Sequence, residues 1–256
     1  MSPLCPPRRI VFLVVKFFQI KIMTKKIFIL VFIFISTLSF AQQTTGTFKE
    51  KIQIEFEINY LLRIPENTNG NYPLMVFLHG SGERGTDINK VILNGPLQDK
   101  YKTYTNEFAM LAPQCPEGQY WDVETVYQLI QKILKENPKI DKNRIYLTGL
   151  SMGGWGSWRL AEKHPDLFAA LVPVCAPSGL PERREAHFVK NIPIRIFHGE
   201  LDDIVPVDNS IEMYRELKNM GANVELTIFE NDNHNSWDST YSDPELYKWM
   251  LKQRKN

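Results

Sequence analysis

One junction limits the folds open to this chain more than any other feature, the passage from Arg144-Ile145-Tyr146-Leu147-Thr148 into Gly149-Leu150-Ser151-Met152-Gly153. The first segment is short, branched and aromatic, as a buried strand is. From Gly154 to His164, Trp155, Trp158, Leu160 and Ala161 recur at helical spacing until Pro165 stops the run. A serine at such a strand-to-helix corner is held in a strained backbone conformation that lifts its hydroxyl clear of the sheet. The flanking glycines let strand and helix approach closely. The free N–H groups of the helix N-terminus then lie beneath it, available to a developing oxyanion. The pentapeptide alone is weak evidence, and its strand-turn-helix setting makes it much stronger.

A nucleophilic serine needs a base, and the base needs an orienting carboxylate. Of the five histidines, His79 ends an apolar strand, His164 sits at a helix C-terminus, His187 lies in a charged stretch and His198 closes another strand before Gly199. His234 remains, on the polar loop after Val224 to Phe229, where an imidazole can reach a site. The acid belongs at a strand end between the two. The segment His198-Gly199-Glu200-Leu201-Asp202-Asp203-Ile204-Val205-Pro206 supplies it, with Asp202 the first choice and Asp203 a neighbour that spacing alone does not separate. The chain order Ser151, Asp202, His234 is that of α/β-hydrolases, and differs from the orders of chymotrypsin-like and subtilisin-like enzymes.

From about Phe48 to Lys252 the chain resembles the α/β-hydrolase superfamily. Within it, the chain is similar to secreted carboxylesterases related to dienelactone hydrolases, to carbohydrate esterases and to the prolyl oligopeptidase catalytic domain. The residues that carry the resemblance are Leu78-His79-Gly80-Ser81-Gly82-Glu83-Arg84-Gly85, Ala112-Pro113-Gln114, Gly149 to Gly154, His198 to Pro206, and His234 with Trp237 close behind. The resemblance implies an α/β fold, a mostly parallel eight-stranded sheet flanked by helices, with its chemistry at the carboxyl ends of the strands. It also implies that His79 supports the oxyanion loop, and that the backbone N–H groups of Ser81 and Met152 form the oxyanion hole. The implied activity is hydrolysis of carboxylic esters through an acyl-enzyme on a Ser-His-Asp triad. The alternatives are a serine peptidase of the prolyl oligopeptidase type or a non-catalytic binding module on the same fold.

The rest of the chain fits that pattern. Strands are expected at Phe48 to Glu57, Tyr60 to Ile64, Leu74 to Leu78, Phe108 to Ala112, Ala169 to Val174, Ile194 to Phe197 and Glu225 to Phe229, besides the one before Ser151. Helices are expected at Val123 to Lys135, at Asp208 to Met220, and beyond Asp243-Pro244-Glu245. The loop Ala176 to Asn191 is short and charged, unlike the long apolar lid of a lipase, which favours small or polysaccharide-linked acyl groups over long lipids. Trp121 and Trp237 are candidates to line the cleft, with core packing the competing role. No His/Cys/Asp spacing suggests a metal site, no phosphate loop is present and no cofactor is expected.

The first forty-one residues stand apart. From Met23, Lys25-Lys26 forms a basic region, Ile27 to Leu38 an apolar core, and Ser39-Phe40-Ala41 a cleavage site before Gln42, the parts of a signal peptide. Residues 1–22 then read as an extension upstream of the true start, and 42–256 as a single catalytic domain that is secreted or periplasmic, with no stable membrane anchor. Removing residues 1–41 takes six of the 30 basic side chains and none of the 29 acidic ones, leaving a net charge of −5. A mildly acidic chain is a poor fit to nucleic acid, so the expected partner is a small-molecule or carbohydrate ester, on a monomer or small homo-oligomer. Cys115 and Cys175 are expected on strands separated by two others, roughly 14 Å apart and beyond disulfide reach. N-terminal sequencing of exported protein should begin near Gln42, and a mature chain that retains Pro3 to Ile22 would overturn this reading.

Overall fold

In the computed structural model, residues 47, 55–66 and 70–255 are described, and contacts divide the chain between Ile54 and Glu55. The second unit carries the sheet. Its strands are β1 (Tyr60–Arg63), β2 (Tyr72–Leu78), β3 (Ala109–Pro113), β4 (Ile140–Leu150), β5 (Ala170–Val174), β6 (Ile194–Gly199) and β7 (Val224–Phe229). They form one sheet in the order β1-β3-β2-β4-β5-β6-β7. Only the β1/β3 pair is antiparallel. The sheet therefore has seven strands among the described residues where eight were expected. The difference is the segment 48–57, of which 48–54 lie outside the described residues and Glu55 to Glu57 are irregular. The expectations for residues 1–41 lie outside them as well.

Helices α1 (Val123–Glu136), α2 (Met152–Lys163), α3 (Leu180–Glu185), α4 (Asp208–Asn219), α5 (Trp237–Ser242) and α6 (Pro244–Lys252) flank the sheet. Strand alternation explains the layers. Leu74, Val76 and Leu78 of β2 enter one apolar cluster with Ile130 and Ile133 of α1, Trp158 of α2 and Met213 of α4. Met75 and Phe77 enter a second with Tyr241 of α5 and Tyr247 and Met250 of α6. Two helix starts are set by aspartates: Asp122 accepts from the N–H groups of Glu124 and Thr125, and Asp243 from that of Glu245 with Pro244 at the first helical position. No helix among the described residues is long and apolar enough to cross a membrane.

Three elements differ from expectation. Strand β4 starts at Ile140, not Arg144, because Ile140 pairs with Tyr72 across an irregularity and the polar Asp141-Lys142-Asn143 hides the continuity. The charged stretch after β5 is not a plain loop: α3 forms there, its Glu182 side chain accepting from the N–H of Gly179 at 2.7 Å, with Pro181 in the first turn. Helix α5 follows the histidine loop directly, on a sequence with little amphipathic signal, Trp237-Asp238-Ser239-Thr240-Tyr241-Ser242.

The chain passes from β2 to β3 on one side and then to β4 on the other. The carboxyl ends of β2 and β4 thus flank the point where the sheet changes direction, where α/β proteins place their ligands. Ser81 follows β2 and Ser151 follows β4. Helix α2 fits against this edge because its first turn has no Cβ at Gly153: a methyl there would collide with the backbone carbonyls of Leu78 and His79. Gly153→Ala is expected to cost about 1–3 kcal/mol by overpacking, read as a lower denaturant midpoint with unchanged m-value. A midpoint equal to that of the parent would contradict this packing.

Candidate active site

Each of the three candidate residues sits just beyond a strand's carboxyl end. Ser151 adopts φ 53° and ψ −119°, a conformation rare for a residue with a side chain, between the end of β4 and the start of α2. Its N–H donates to the carbonyl of Val174 at 2.9 Å, which fixes the corner to β5. Asp202 lies in the turn after β6, its side chain fully buried. His234 lies in the loop after β7, and that loop is bound to the acid's turn: the N–H of Leu201 donates to the carbonyl of Asp232 at 3.0 Å, and that of Glu200 to Phe229 at 2.9 Å. Gly199 permits this, since a Cβ there would strike the carbonyls of Asp232 and Asn233.

The structure brings the three together in line. His234 Nε2 is 2.9 Å from Ser151 Oγ, and His234 Nδ1 is 2.8 Å from Asp202 Oδ2. An ionised carboxylate only accepts, so Nδ1 carries the ring proton and Nε2 faces the serine hydroxyl as an acceptor. The choice left open by spacing is resolved, because Asp203 is exposed and Asp202 makes the contact. The other carboxylate oxygen, Oδ1, accepts from the N–H groups of Ile204 at 2.9 Å and Val205 at 2.8 Å. Burial pushes the Asp202 carboxyl up, but the hydrogen bonds from His234, Val205 and Ile204 outweigh it and hold the pKa below the ordinary value.

Two histidines read from the sequence as strand-end residues, and not as the base, are buried parts of the frame. His198 Nε2 lies 3.1 Å from Asp202 Oδ2 and 2.8 Å from the carbonyl of Val205. Both are acceptors, so Nε2 carries the proton, and Nδ1 accepts from the Ser210 hydroxyl of α4 at 2.7 Å. Asp202 Oδ2 therefore receives two imidazole N–H groups. Sequence reasoning missed this role and that of Ser210; the four-residue spacing of His198 and Asp202 around a tight turn was the available signal. His79, as the resemblance implied, supports the loop after β2: its Nε2 accepts from the N–H of Cys115 at 2.9 Å and its Nδ1–H donates to the carbonyl of Gly80 at 2.6 Å. Burial lowers the pKa of both His79 and His198, keeping them neutral.

Ser81 opens a short 3₁₀ turn and Met152 is the first residue of α2, so the amide of Met152 is one of the N–H groups that a helix start leaves without an internal acceptor. Trp237 packs its ring against His234, centroids 5.6 Å apart and nearly perpendicular. Trp121 is placed differently from the cleft position considered above. It is 4 % exposed, its indole N–H donates to the carbonyl of His79 at 3.3 Å, and its ring fills the space left by Gly156. It is a packing residue beneath the loop that follows β2. Cys115 and Cys175 are both free and buried. Burial, with the nearby Asp202 charge, pushes the Cys175 thiol far up, so it stays protonated; its sulfur lies within 4.8 Å of an Asp202 carboxylate oxygen and a His234 ring nitrogen.

Residues 112–244, just over half of the chain, match the phospholipase/carboxylesterase family of α/β-hydrolases. The chain belongs to this family. It is 36 % identical to a solved thermostable esterase, with a TM-score of 0.70 over 78 % of this chain and 60 % of that one. It is 24 % identical to the uncharacterized peptidase YuxL of Bacillus subtilis (strain 168) over 77 % of this chain, and spans 37 % of that protein. It is 27 % identical to the bifunctional acetylxylan esterase/xylanase XynS20E of Neocallimastix patriciarum over 59 % of this chain, and spans 23 % of that protein. The chain thus covers well under half the length of either curated relative.

The neutral buried imidazoles give a signed pH dependence. Both have folded-state pKa values below the ordinary 6.5, so below that pH the unfolded chain binds more protons and stability falls as pH falls. Asp202, depressed from 3.8, adds to the loss at still lower pH. The melting temperature is expected to drop between about pH 7.5 and pH 5, and His198→Gln to flatten that slope. A melting temperature that is flat across this window in the parent would contradict the neutral assignment.

Proposed function

We propose that the chain is a serine hydrolase of carboxylic esters, with Ser151 as nucleophile, His234 as base and Asp202 as the acid that orients it. The observation that carries this reading is the continuous hydrogen-bond line from Asp202 through His234 to a Ser151 held at positive φ. His234 Nε2 takes the Ser151 proton as Oγ bonds to the acyl carbon, and the carbonyl electron pair moves onto oxygen. The N–H groups of Ser81 and Met152 receive that oxyanion. Collapse breaks the bond to the alcohol, which leaves with the proton from His234, and water then repeats the sequence to release the acid. The second hydrogen bond to Asp202, from His198, holds the carboxylate in place while the His234 imidazole becomes charged.

The substrate reading is an ester with a small or polysaccharide-linked acyl group. It is supported by the short α3 where a lipase carries an apolar lid, by the exposed Leu201 and Ile204 flanking the acid, and by the similarity to XynS20E, a bifunctional acetylxylan esterase/xylanase. Export with removal of residues up to Ala41 belongs to the same reading. A peptidase is the second reading, favoured by the similarity to YuxL.

Turnover of p-nitrophenyl acetate and butyrate beside peptide p-nitroanilides, with Ser151→Ala as blank, separates the readings. The esters are expected to be cleaved and the anilides not. Asp202→Asn should lower kcat by about 10⁴ if the aspartate of serine proteases is a fair guide, with Asp203→Asn far less damaged. Faster cleavage of the anilides would establish the peptidase, and no activity above the blank on either would leave a non-catalytic module.

A further inference from the structure

Arg84 lies on the loop that begins at Ser81, and its guanidinium has unusual company. Nη2 donates to the thioether of Met152 at 2.8 Å, and the plane sits over the ring of Tyr120, 5.1 Å from its centroid. Its Nε is buried and has no hydrogen-bond partner among the described residues. The adjacent Glu83 does not neutralise it, because that carboxylate accepts from Asn94 Nδ2 at 2.6 Å and faces His79 at 3.8 Å. A guanidinium carries five N–H donors in a planar fork. A thioether is a weak acceptor and an aromatic face satisfies charge without satisfying N–H groups, so a permanent cation is held partly out of water with its Nε unpaired among the described residues and only the Met152 thioether and the buried Cys115 thiol as polar neighbours.

Its position gives that deficit a purpose. The contact with Met152 puts the fork against the residue next to Ser151, whose own N–H is an oxyanion donor in the proposed mechanism. Tyr120, 68 % exposed and braced edge-on by Trp155, extends the same surface outward as an open aromatic shelf. We infer that Arg84 and Tyr120 form a subsite for a carboxylate carried by the substrate, close to the ester bond cut at Ser151. Resting on the hydrolase reading above, the inference narrows the substrate to esters with an anionic group. A carboxylate is the natural partner because its two oxygens match the guanidinium fork in a bidentate, charge-assisted pair. The shelf of Tyr120 accommodates the ring or chain that bears it.

Matched pairs of substrates test this, differing only in whether the carboxylate is free. Mono-p-nitrophenyl glutarate against its methyl ester places the charge in the acyl group. 4-Acetoxybenzoate against methyl 4-acetoxybenzoate places it in the leaving alcohol. The readout is the ratio of kcat/KM for the charged member to that for the neutral one, with the Ser151→Ala rate subtracted. In the parent enzyme that ratio is expected to exceed about tenfold in at least one pair, to shrink as salt is raised, and to fall toward unity in Arg84→Gln. The pair that shows it tells which side of the ester carries the charge. Arg84→Lys keeps the charge without the fork and should retain only part of the preference, which guards against a poorly folded Gln variant. If Arg84→Gln slows both members of each pair equally, the arginine merely braces the loop and the subsite is wrong. A parent ratio at or below one in both pairs would also overturn it. Hydrolysis of neither member above the Ser151→Ala blank would instead overturn the hydrolase reading on which it rests.

Discussion

The site depends on how closely two pieces of backbone approach each other. At the corner after β4, Gly149 and Gly153 have no side chain where strand, turn and the first turn of α2 come together, and the carbonyl of Leu78 occupies the space a methyl at Gly153 would take. Without that contact Ser151 would have no reason to remain at φ 53°, a conformation that costs on the order of 1–3 kcal/mol. The cost is met by packing on both faces of the sheet and by the hydrogen bond from Ser151 N–H to β5. The same contact sets the first turn of α2 beside the end of β2 and the loop that follows it.

From that corner the remaining groups are held by backbone links between neighbouring loops. The acid turn after β6 and the histidine loop after β7 share hydrogen bonds at Glu200 and Leu201, so the distance from Asp202 to His234 is set before either side chain is considered. Asp202 then has every oxygen occupied, two backbone N–H groups on one and two imidazoles on the other. Full satisfaction is what allows a carboxylate to remain ionised where its side chain is shielded from water.

Much of this was legible in the sequence, for a physical reason. The corner serine needs glycines at fixed offsets, and β2, β3 and β5 are buried on both faces, so they appear as apolar runs. The choice of His234 came from elimination among few histidines, and it is the one that reaches Ser151. What could not be read was whatever depends on distant parts of the chain. Spacing did not separate Asp202 from Asp203, because only the turn's geometry decides which carboxylate points inward. The partnership of His198 with Asp202 had only a four-residue spacing to signal it, and the tight turn that closes it is set by the fold. Residue type alone left Trp121 open between cleft and core, and the gap at Gly156 that holds it inside is thirty-five residues away in the chain. Helix α3 was concealed by its charge, since its start rests on a side chain closing onto Gly179 and not on an apolar stripe.

The strain at Ser151 also bears on what the chain is when it is not fully folded. A serine hydroxyl on a relaxed backbone, away from His234 and the amides at the start of α2, is an ordinary alcohol. In the proposed mechanism, local opening of the corner therefore switches the nucleophile off instead of leaving it loose and indiscriminate, and a partly denatured chain is inert toward esters.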